Sequence, residues 1–421
     1  MGKDSTSRRD PAQCSGGRSR LVPTAHSVSA VSGRRAETIE SLMSLADALE
    51  RDRHEWISTL STHEPVNVAN DEVDKSVRTL RTYYEELASI EDRVPFGGVA
   101  VSLPFNNPLY SLILYTCGSA LGGSQVVVRP SVHTASIVTK LVNEYWQPFE
   151  VLGIRLTPMT GARFIEAART DRAIESLVFT GAYENLANVQ TNFPSSKRLV
   201  YCGSGINPIV VGSSPEIVVR QAVKLTIDSR IFNSGQDCLC TERIYVHSSI
   251  ADMFLDILRT DLEKIQSGPF GDPAARICPL VTPIAARARE ILEDLTLNEI
   301  TVYRSRTDAN IIGPQVFETH LDSPGLMAEK FSPIFTVARY KQPEQLYQIA
   351  RSEHKLGATL IGDVDPEPFQ QYPHVTTGRS VLELEAENPH VPFGGRGKSG
   401  FSRRRGDHKD GPILYSVETT E

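Results

Sequence analysis

The amino-acid sequence predicts an α/β fold, and two observations support this prediction. Short apolar runs such as Gly98–Leu103 and Gln125–Arg129 alternate along the chain with amphipathic stretches of helical period. The runs are apolar at consecutive positions, a pattern typical of strands that are buried on both faces of a parallel sheet. The chain has 421 residues, enough for two or three domains, and the alternation indicates two α/β domains of similar size.

The composition argues against several classes of protein. Lys and Arg together number 44 and Asp and Glu 51, so the net charge is −7, which disfavours binding to nucleic acid or to an anionic membrane. No apolar run approaches the roughly 20 residues of a membrane span, so we expect no membrane partner. Six cysteines are too few for a disulfide scaffold, and without a secretory signal they indicate a cytoplasmic protein.

The first part of the chain differs from the rest. Residues 1–35 are rich in Ser, Arg and Gly and have no periodicity, so we expect a disordered tail. From Glu37 to Leu60 apolar residues recur at steps of three and four, which predicts an amphipathic helix, and residues 73–87 repeat the pattern.

Strands and helices then alternate in the predicted order. Pro104 ends the first strand, and Gly122 stops the helix that follows it. The predicted strands are 98–103, 125–129, 177–179, 199–201, 209–211 and 243–246. The predicted helices between them include 108–121, 135–146, 216–232 and 250–265.

The loop Phe232–Cys240 says most about chemistry. It lies between a predicted helix and a predicted strand, where active-site loops occur in α/β folds. A cysteine in a glycine-containing loop can serve as a thiolate nucleophile, so Cys238 is a candidate, and the alternative is a buried structural thiol. Cys238 and Cys240 lack a second Cys or His pair at ligand spacing, so we expect no metal site.

Six motifs between residues 94 and 417 resemble, in the same order, those of the aldehyde dehydrogenase superfamily. The Cys238 loop is similar to the family's cysteine loop. The other five are Pro104-Phe105-Asn106-Asn107-Pro108, Arg129-Pro130-Ser131-Val132-His133-Thr134, Phe179-Thr180-Gly181, Glu329-Lys330-Phe331-Ser332-Pro333 and Pro392-Phe393-Gly394-Gly395. Each motif is short, and their common order makes the resemblance specific.

This resemblance implies two doubly wound α/β domains, a Rossmann-like cofactor domain and a catalytic domain, with a reduced oligomerisation segment. It places the nicotinamide cofactor-binding domain at 36–201, the catalytic domain at 202–400 and a C-terminal pairing strand at 401–421. The segment between Tyr84 and Gly98 leaves room for only a short version of the family's β-hairpin arm. Residues 413–417 alternate like the pairing strand, so the resemblance implies a homodimer rather than a tetramer.

The resemblance also implies a reaction. Cys238 would attack an aldehyde carbonyl to form a thiohemiacetal, with the side-chain amide of Asn106 stabilising the oxyanion. Hydride transfer to NADP or NAD would leave a thioester on Cys238, and Glu329 would bind the nicotinamide ribose. The remaining cofactor contacts implied by the motifs are Pro104, Phe105, Arg129, Ser131, Thr180, Gly181 and Phe331.

Cys202 departs from the family where a general base is expected. The family has a Glu in a Glu-Leu-Gly-Gly stretch, and the corresponding region Tyr201–Pro208 puts Cys202 at that position. A thiol with an ordinary pKa of about 8.5 is a poor base at neutral pH, so hydrolysis should be slow unless Glu385 or Asp237 replaces the Glu. The alternatives are acyl transfer to coenzyme A and, in reverse, reduction of an acyl thioester. A further alternative is that Cys202 and Cys238 form a disulfide or pass the acyl group between them.

The cofactor end departs from the family at two places. Val132 stands where the family has a ribose-binding Glu and Arg129 where it has a Lys, a change that favours NADP over NAD. Ala182 and Leu186 replace a Ser and a Gly at the helix that receives the pyrophosphate. Leu186 argues for weakened cofactor binding, so a catalytically degenerate member with a binding role is a further alternative.

The substrate pocket is defined by two segments. Asp237 and Leu239 flank the nucleophile, and a loop at 382–390 contributes polar side chains that include Glu385 and His390. These groups suit an amino- or hydroxyl-bearing aldehyde or acyl substrate. The alternative is that the loop is polar only because it is solvated.

Overall fold

The computed structural model describes residues 31–86, 93–95, 97–191, 193–387, 394–410 and 417–419. Within these residues the chain forms two seven-stranded sheets covered by helices. Most of the predicted tail at 1–35 lies outside them, and the backbone from Val31 to Arg51 is helical, so the tail at 1–35 stays a prediction. No helix in the described part is long and apolar enough to cross a membrane.

The helices alternate with the strands along most of the chain. The helices are α1 (Val31–Arg51), α2 (Arg53–Leu60), α3 (Val66–Thr82), α4 (Pro108–Leu121), α5 (Ala135–Glu144), α6 (Trp146–Val151), α7 (Gly161–Thr170), α8 (Tyr183–Gln190), α9 (Glu216–Ile231), α10 (Ala251–Leu262), α11 (Thr282–Asn298), α12 (Pro324–Met327), α13 (Gln345–Ala350) and α14 (Val381–Glu387). The strands are β1 (Arg93–Pro95), β2 (Gly98–Ser102), β3 (Gln125–Arg129), β4 (Ile154–Leu156), β5 (Ile174–Thr180), β6 (Arg198–Cys202), β7 (Asn207–Val211), β8 (Thr241–His247), β9 (Ile300–Arg304), β10 (Thr307–Asp308), β11 (Ile311–Ile312), β12 (Gln315–Thr319), β13 (Ile334–Tyr340), β14 (His354–Lys355), β15 (Gly357–Ile361), β16 (His374–Thr377), β17 (Arg396–Gly397), β18 (Gly400–Arg404), β19 (Asp407–Asp410) and β20 (Val417–Thr419).

The first sheet has the order β19-β18-β6-β5-β2-β3-β4. The strands from β6 to β4 are parallel, and β18 and β19 extend the β6 edge in antiparallel pairing. All five residues of β2 are buried, because helices cover both faces of the sheet. The predicted C-terminal segment at 401–421 therefore begins as part of this sheet.

The second sheet has the order β16-β15-β7-β8-β13-β12-β9. All of its strands pair in parallel except β9, which lies antiparallel at one edge. A mostly parallel sheet of this kind presents loops at the carboxyl ends of its strands, where active sites form. The α/β class with two doubly wound sheets is confirmed.

The helix predicted for 37–60 is broken at Asp52, between α1 and α2. The Asp52 carboxylate accepts a hydrogen bond from Tyr145 Oη (2.9 Å), and Tyr145 Oη accepts one from Trp56 Nε1 (2.6 Å). The helical hydrogen bonds nevertheless continue across this position, from Asp52 N to Ala48 O (3.0 Å) and from Trp56 N to Asp52 O (3.2 Å), so the break is slight. Tyr145 also separates α5 from α6, so the predicted helix 135–146 ends early.

The prediction of a loop at 382–390 is wrong for its first half, because residues 381–387 form α14. Ser380 Oγ accepts from Glu383 N (3.2 Å), and the Glu383 carboxylate accepts from Ser380 N (2.7 Å). This reciprocal pair is a capping box, a signal that was present in the sequence. Residues 388–390, including His390, lie outside the described part of the chain, as do 413–416 of the predicted pairing strand. Next to them, β20 pairs antiparallel with β1.

Two carboxyl side chains are buried together where α3 meets the N-terminus of α4. Glu64 and Glu72 are each almost fully buried, and Glu72 Oε1 accepts from Tyr110 N (2.8 Å). Burial raises the pKa of both carboxyls, and the neighbouring charge of Glu72 raises the pKa of Glu64 further. The folded protein therefore binds more protons here than the unfolded chain does at neutral pH.

We expect this pair to make the free energy of unfolding fall as the pH rises from about 5 through about 7, where the folded-state pKa of Glu72 lies. Each raised carboxyl pKa contributes stability that is lost as pH rises through its folded-state value, and the pair should account for roughly 1–3 kcal/mol. Glu64→Gln removes one of the two titrating carboxyls, so the free energy of unfolding should depend less steeply on pH. Urea unfolding at three pH values measures this dependence. Glu50→Gln on the exposed face of α1 is the matched control. Equal pH slopes in all three proteins would contradict the assignment.

Candidate active site

A cavity of about 770 Å³ lies at the carboxyl-terminal edge of the first sheet and is lined by residues that follow strands of both sheets. It brings together nearly all of the site residues predicted from the sequence. These are Cys238, Asn106, Cys202, Glu329, Arg129, Ser131, Thr180, Gly181, Phe331, Pro104, Phe105, Asp237, Leu239 and Glu385. His390 is the exception, since it lies outside the described residues. A shared cavity is what a common site requires, and the individual roles stay predictions.

The backbone before Cys238 is strained. Asn233 (φ 47°), Ser234 (φ 56°) and Gly235 (φ 80°) are all in the left-handed region. The fully buried guanidinium of Arg230 stabilises this turn by donating to Thr241 O (2.6 Å) and Gly235 O (3.0 Å). Strain of this kind persists only where the surroundings impose it, and it is concentrated at functional loops.

The carbonyl of Cys238 is held from the opposite side. Asn207 Nδ2 donates to Cys238 O (2.8 Å) and to Cys240 O (2.9 Å), and Asn207 Oδ1 accepts from Gly357 N (2.9 Å). A Cβ on Gly205 would lie 2.0 Å from Cys238 O, so this position requires glycine. The backbone of Cys238, the candidate nucleophile, is thus fixed, and the residue lines the cavity.

The Cys238 thiol is half-buried. Burial, and secondly the negative charges of Asp237 and Glu385, raise the pKa of Cys238 well above its ordinary value. The resting Cys238 side chain is therefore a protonated thiol, and a thiol in this state must lose its proton to act as a nucleophile.

Asp237 precedes Cys238 in the chain, lines the same cavity and is only 5% exposed. Its Oδ2 accepts from Asn107 Nδ2 (2.6 Å) and its Oδ1 from Leu239 N (2.7 Å). Burial and the charge of Glu385 raise the pKa of Asp237 to about 6. Glu385, by contrast, forms an ion pair with Lys75 Nζ (2.9 Å).

Cys202 forms the cavity wall at the end of β6 and is 1% exposed. It lies near Tyr115 and Cys238, and its charge contributes to the raised pKa of both groups. The described wall therefore presents a thiol, and no carboxylate, where the family's base is expected.

The other end of the cavity carries Arg129, at the end of β3. Its half-buried guanidinium lies 3.8 Å from the position that a Cβ on Gly161 would take, and it forms no ion pair with a described residue. Val132 is 73% exposed and does not line the cavity. Leu186 is fully buried in the core beneath α8, so it does not obstruct the cavity, contrary to the expectation from the sequence.

Glu329 and Phe331 face the cavity from the loop before β13. The carboxylate of Glu242 accepts from Lys330 N (2.9 Å) and from Phe331 N (3.0 Å), and it forms an ion pair with Arg230 (2.7 Å). Arg230 and Glu242 are both fully buried. One buried ion pair thus connects the Glu329 loop with the strained turn before Cys238.

Several residues that shape the cavity were not found from the sequence. They are Asn107, Tyr110, Tyr115, Arg287, Lys75, Arg230 and Glu242. Asn107 lay inside a recognised motif, but its contact with Asp237 depends on a left-handed backbone (φ 51°) that the motif does not reveal. Glu242 had one signal, a charge close to the apolar run Ile244-Tyr245-Val246, where an unpaired carboxylate would be costly.

The fold has two mostly parallel sheets, and the cysteine loop of the second sheet faces a cleft at the strand ends of the first. This arrangement is typical of the nicotinamide-dependent aldehyde oxidoreductases. The sequence model described as the aldehyde dehydrogenase family matches residues 28–411. The chain belongs to this family, and it is an oxidoreductase of the NAD(P)-dependent, aldehyde dehydrogenase-like kind.

Curated relatives are similar over most of the chain. A lactaldehyde dehydrogenase of Methanococcus vannielii is 25% identical over 404 residues, covering 90% of this chain and 84% of the relative. The NADP/NAD-dependent aldehyde dehydrogenase PuuC of Escherichia coli is 28% identical over 402 residues, covering 87% and 79%. Among solved structures, the glyceraldehyde-3-phosphate dehydrogenase GapN of Methanocaldococcus jannaschii complexed with NADP has a TM-score of 0.78 at 20% identity, covering 88% of this chain and 87% of that one.

Proposed function

We propose that this protein oxidises an aldehyde to a carboxylic acid through a thioester on Cys238, with NADP or NAD as the oxidant. The observation that carries the proposal is that Cys238, Asn106 and Glu329 line one cavity although they are distant in the sequence. A chain released from catalysis need not keep a nucleophile, an amide donor and a ribose-binding carboxyl in one place. The degenerate, purely binding alternative is therefore disfavoured.

The reaction begins at the sulfur of Cys238. Its attack on the aldehyde carbon forms a C–S bond and a negative oxygen, and the Cys238 proton leaves. Asn106 lines the cavity beside the nucleophile, so its side-chain amide can donate to that oxygen together with Cys238 N. NADP or NAD, when bound, supplies the acceptor for the hydride that leaves the same carbon.

The residues at the far end of the cavity fit a dinucleotide. The N-terminus of α8 opens onto the cavity through Gly181 and Ala182, which suits a pyrophosphate. Burial and the charge of Glu242 raise the pKa of Glu329 to about 8, so this carboxyl can both donate to and accept from ribose hydroxyls at neutral pH. Arg129 provides a positive charge for a phosphate on the adenosine side.

A second candidate is acyl transfer to coenzyme A, and Cys202 is the observation that favours it, since the usual base is absent there. The two candidates differ in their requirement for coenzyme A. Lactaldehyde, an amino aldehyde and propionaldehyde are each incubated with NADP or NAD, with and without coenzyme A, while reduced nicotinamide is followed by absorbance. Equal turnover without coenzyme A supports hydrolysis to the acid, whereas turnover only in its presence supports the second candidate.

We predict that NADP binds about tenfold more tightly than NAD and that Arg129→Met removes this preference. The guanidinium of Arg129 has no carboxylate partner among the described residues, so the 2′-phosphate can pair with it. Calorimetric titration with both cofactors measures the ratio. Arg172→Met, an exposed arginine outside the cavity, is the matched control. An unchanged ratio in Arg129→Met would contradict the assignment.

Assembly and location belong to the same proposal. The short arm segment and the C-terminal pairing strand implied by the family resemblance support a homodimer. The net charge of −7 supports a protein that binds neither nucleic acid nor an anionic membrane, and the cytoplasmic location stays a prediction.

A further inference from the structure

We propose that Asp237 is the general base that activates water for hydrolysis of the Cys238 thioester, in place of the glutamate whose position Cys202 occupies. This inference rests on the proposed function, because it concerns the second half of the same reaction. The sequence leaves Glu385 and Asp237 open as replacements, and the structure favours Asp237.

The first argument is elimination among the carboxyl groups of the cavity. Four described carboxyl side chains line it: Glu166, Asp237, Glu329 and Glu385. Glu166 pairs with Arg169 (2.6 Å) and Glu385 with Lys75 (2.9 Å), and a carboxylate held by a cation is a weaker base. Glu329 lies on the loop of the cofactor end, near Arg287 (3.9 Å). Asp237 forms no ion pair with a described residue.

The second argument is position. Asp237 directly precedes Cys238 in the chain, lines the cavity and is only 5% exposed. Its two hydrogen bonds, from Asn107 Nδ2 and Leu239 N, fix the orientation of the carboxylate. They use two of about four acceptor sites, so lone pairs remain for a water molecule. A fixed, desolvated carboxylate beside the reacting sulfur is the arrangement that general-base catalysis requires.

Protonation supports the same assignment. Burial and the charge of Glu385 raise the pKa of Asp237 to about 6, whereas the hydrogen bonds from Leu239 and Asn107 and the charge of Lys75 lower it. Among the other groups facing this region, Asp71 pairs with Lys75 (3.0 Å) and Glu72 accepts from Tyr110 N (2.8 Å). Burial raises the pKa of Glu64 and of the Tyr110 hydroxyl, so both favour their neutral forms. A base with a pKa close to the working pH is ionised at pH 7 and still strong enough to accept a proton.

The step balances without an additional reactant. Water attacks the thioester carbonyl as the Asp237 carboxylate takes one of its protons, forming a tetrahedral intermediate with a new C–O bond. Collapse of this intermediate breaks the C–S bond, and the electron pair leaves with the sulfur of Cys238. The carboxylic acid is released, and the proton on Asp237 passes to the Cys238 thiolate or to solvent, which restores the enzyme.

The test measures deacylation by itself. The full-length protein is acylated with p-nitrophenyl acetate, which forms an acetyl thioester on Cys238 without cofactor or aldehyde, and the burst of p-nitrophenolate reports acylation. Excess ester is removed by gel filtration, and the decay of the acetyl-protein is followed by intact-mass spectrometry. The wild type is compared with Asp237→Asn, with Asp237→Glu, with Cys202→Ala and with Asp256→Asn, a matched change at an exposed position of α10.

We expect Asp237→Asn to keep its burst and to lose the acetyl group roughly 100-fold more slowly, since a general base contributes about 10²–10⁴-fold. Hydroxylamine, a stronger nucleophile than water, should restore most of the lost rate. Asp237→Glu should recover part of the hydrolysis. In the wild type the decay should rise with pH to a plateau above about pH 6, and Asp237→Asn should lack this rise, an effect that a merely structural role would not produce.

Three results would overturn the proposal. An acetyl-protein that decays equally fast in wild type and Asp237→Asn removes the role of Asp237. Slow decay in Cys202→Ala with normal decay in Asp237→Asn assigns the base to the thiol. A wild type that is not acetylated at Cys238 rejects this proposal and the proposed function together. If acetylation and decay behave as expected but no aldehyde reduces NADP or NAD, only the proposed function fails.

Discussion

Replacing Cys238 by alanine should lower aldehyde-dependent reduction of NADP or NAD by at least about 10⁴-fold, because the covalent intermediate cannot form. The fixed backbone around this residue predicts that little else changes. Arg230 and Asn207 hold the turn on both sides without using the thiol, so the variant should keep its melting temperature and its cofactor affinity. Initial rates measured with each aldehyde of the panel above give the size of the loss.

Cys240→Ala is the matched control for this experiment. Cys240 lies in the same loop, is fully buried, and its Sγ faces Phe232 O (3.5 Å) outside the cavity wall. It should retain activity within about threefold and lose at most about 1–2 kcal/mol of stability. Full activity in Cys238→Ala, or equal losses in the two variants, would contradict the assignment of Cys238 as the nucleophile.

The second large effect is expected at the buried ion pair of Arg230 and Glu242. Removing one partner leaves an uncompensated charge in the interior, so Arg230→Met should lower the free energy of unfolding by about 3–5 kcal/mol. The loss should also raise the Kd for the nicotinamide cofactor. The reason is that the Glu242 carboxylate accepts hydrogen bonds from Lys330 N and Phe331 N in the Glu329 loop. Arg230 forms the ion pair with Glu242 and also donates to Gly235 O in the turn before Cys238. Urea unfolding and cofactor titration measure the two effects separately.

The double variant Arg230→Met with Glu242→Met distinguishes positioning from stability. Replacing a buried ion pair by apolar side chains of similar volume is often neutral for stability. We therefore expect the double variant to recover most of the loss of about 3–5 kcal/mol predicted for Arg230→Met. The acceptor for Lys330 N and Phe331 N is still missing in this variant, so cofactor affinity should stay low. Recovery of both properties would show that the pair contributes only to stability.

The strands of the two sheets could be predicted from the sequence because they are buried on both faces and are therefore mostly apolar. The predicted strands at 125–129 and 98–103 agree with β3 and β2 to within a residue. The predicted site residues share a cavity because strand ends and crossover loops converge at one edge of a parallel sheet. Periodicity alone could not find the break at Asp52, because the apolar residues keep their helical spacing across it.

Charged residues inside the fold were the least predictable part of the site. Arg230 lies on a helix and Glu242 on a strand, and only the packing of the second sheet brings their side chains within 2.7 Å. The expectation that Leu186 obstructs the cofactor was wrong, because a residue in the first turn of a helix can face either the cofactor or the core, and Leu186 faces the core. The proposed role of Asp237 depends on its burial and on its having no ion pair with a described residue, and the spacing of residues in the Cys238 loop predicts neither property.

The covalent intermediate is the central claim, and trapping it tests the account most directly. The protein is mixed with NADP and an aldehyde that it turns over, quenched within the first turnover, and analysed by intact-mass and peptide mass spectrometry. We predict that the mass increases by one acyl group, located on Cys238, with one equivalent of reduced nicotinamide formed per modified site. Reduced nicotinamide formed at the full rate by Cys238→Ala, or an acyl group found on Cys202 or Cys240 instead of Cys238, would contradict it.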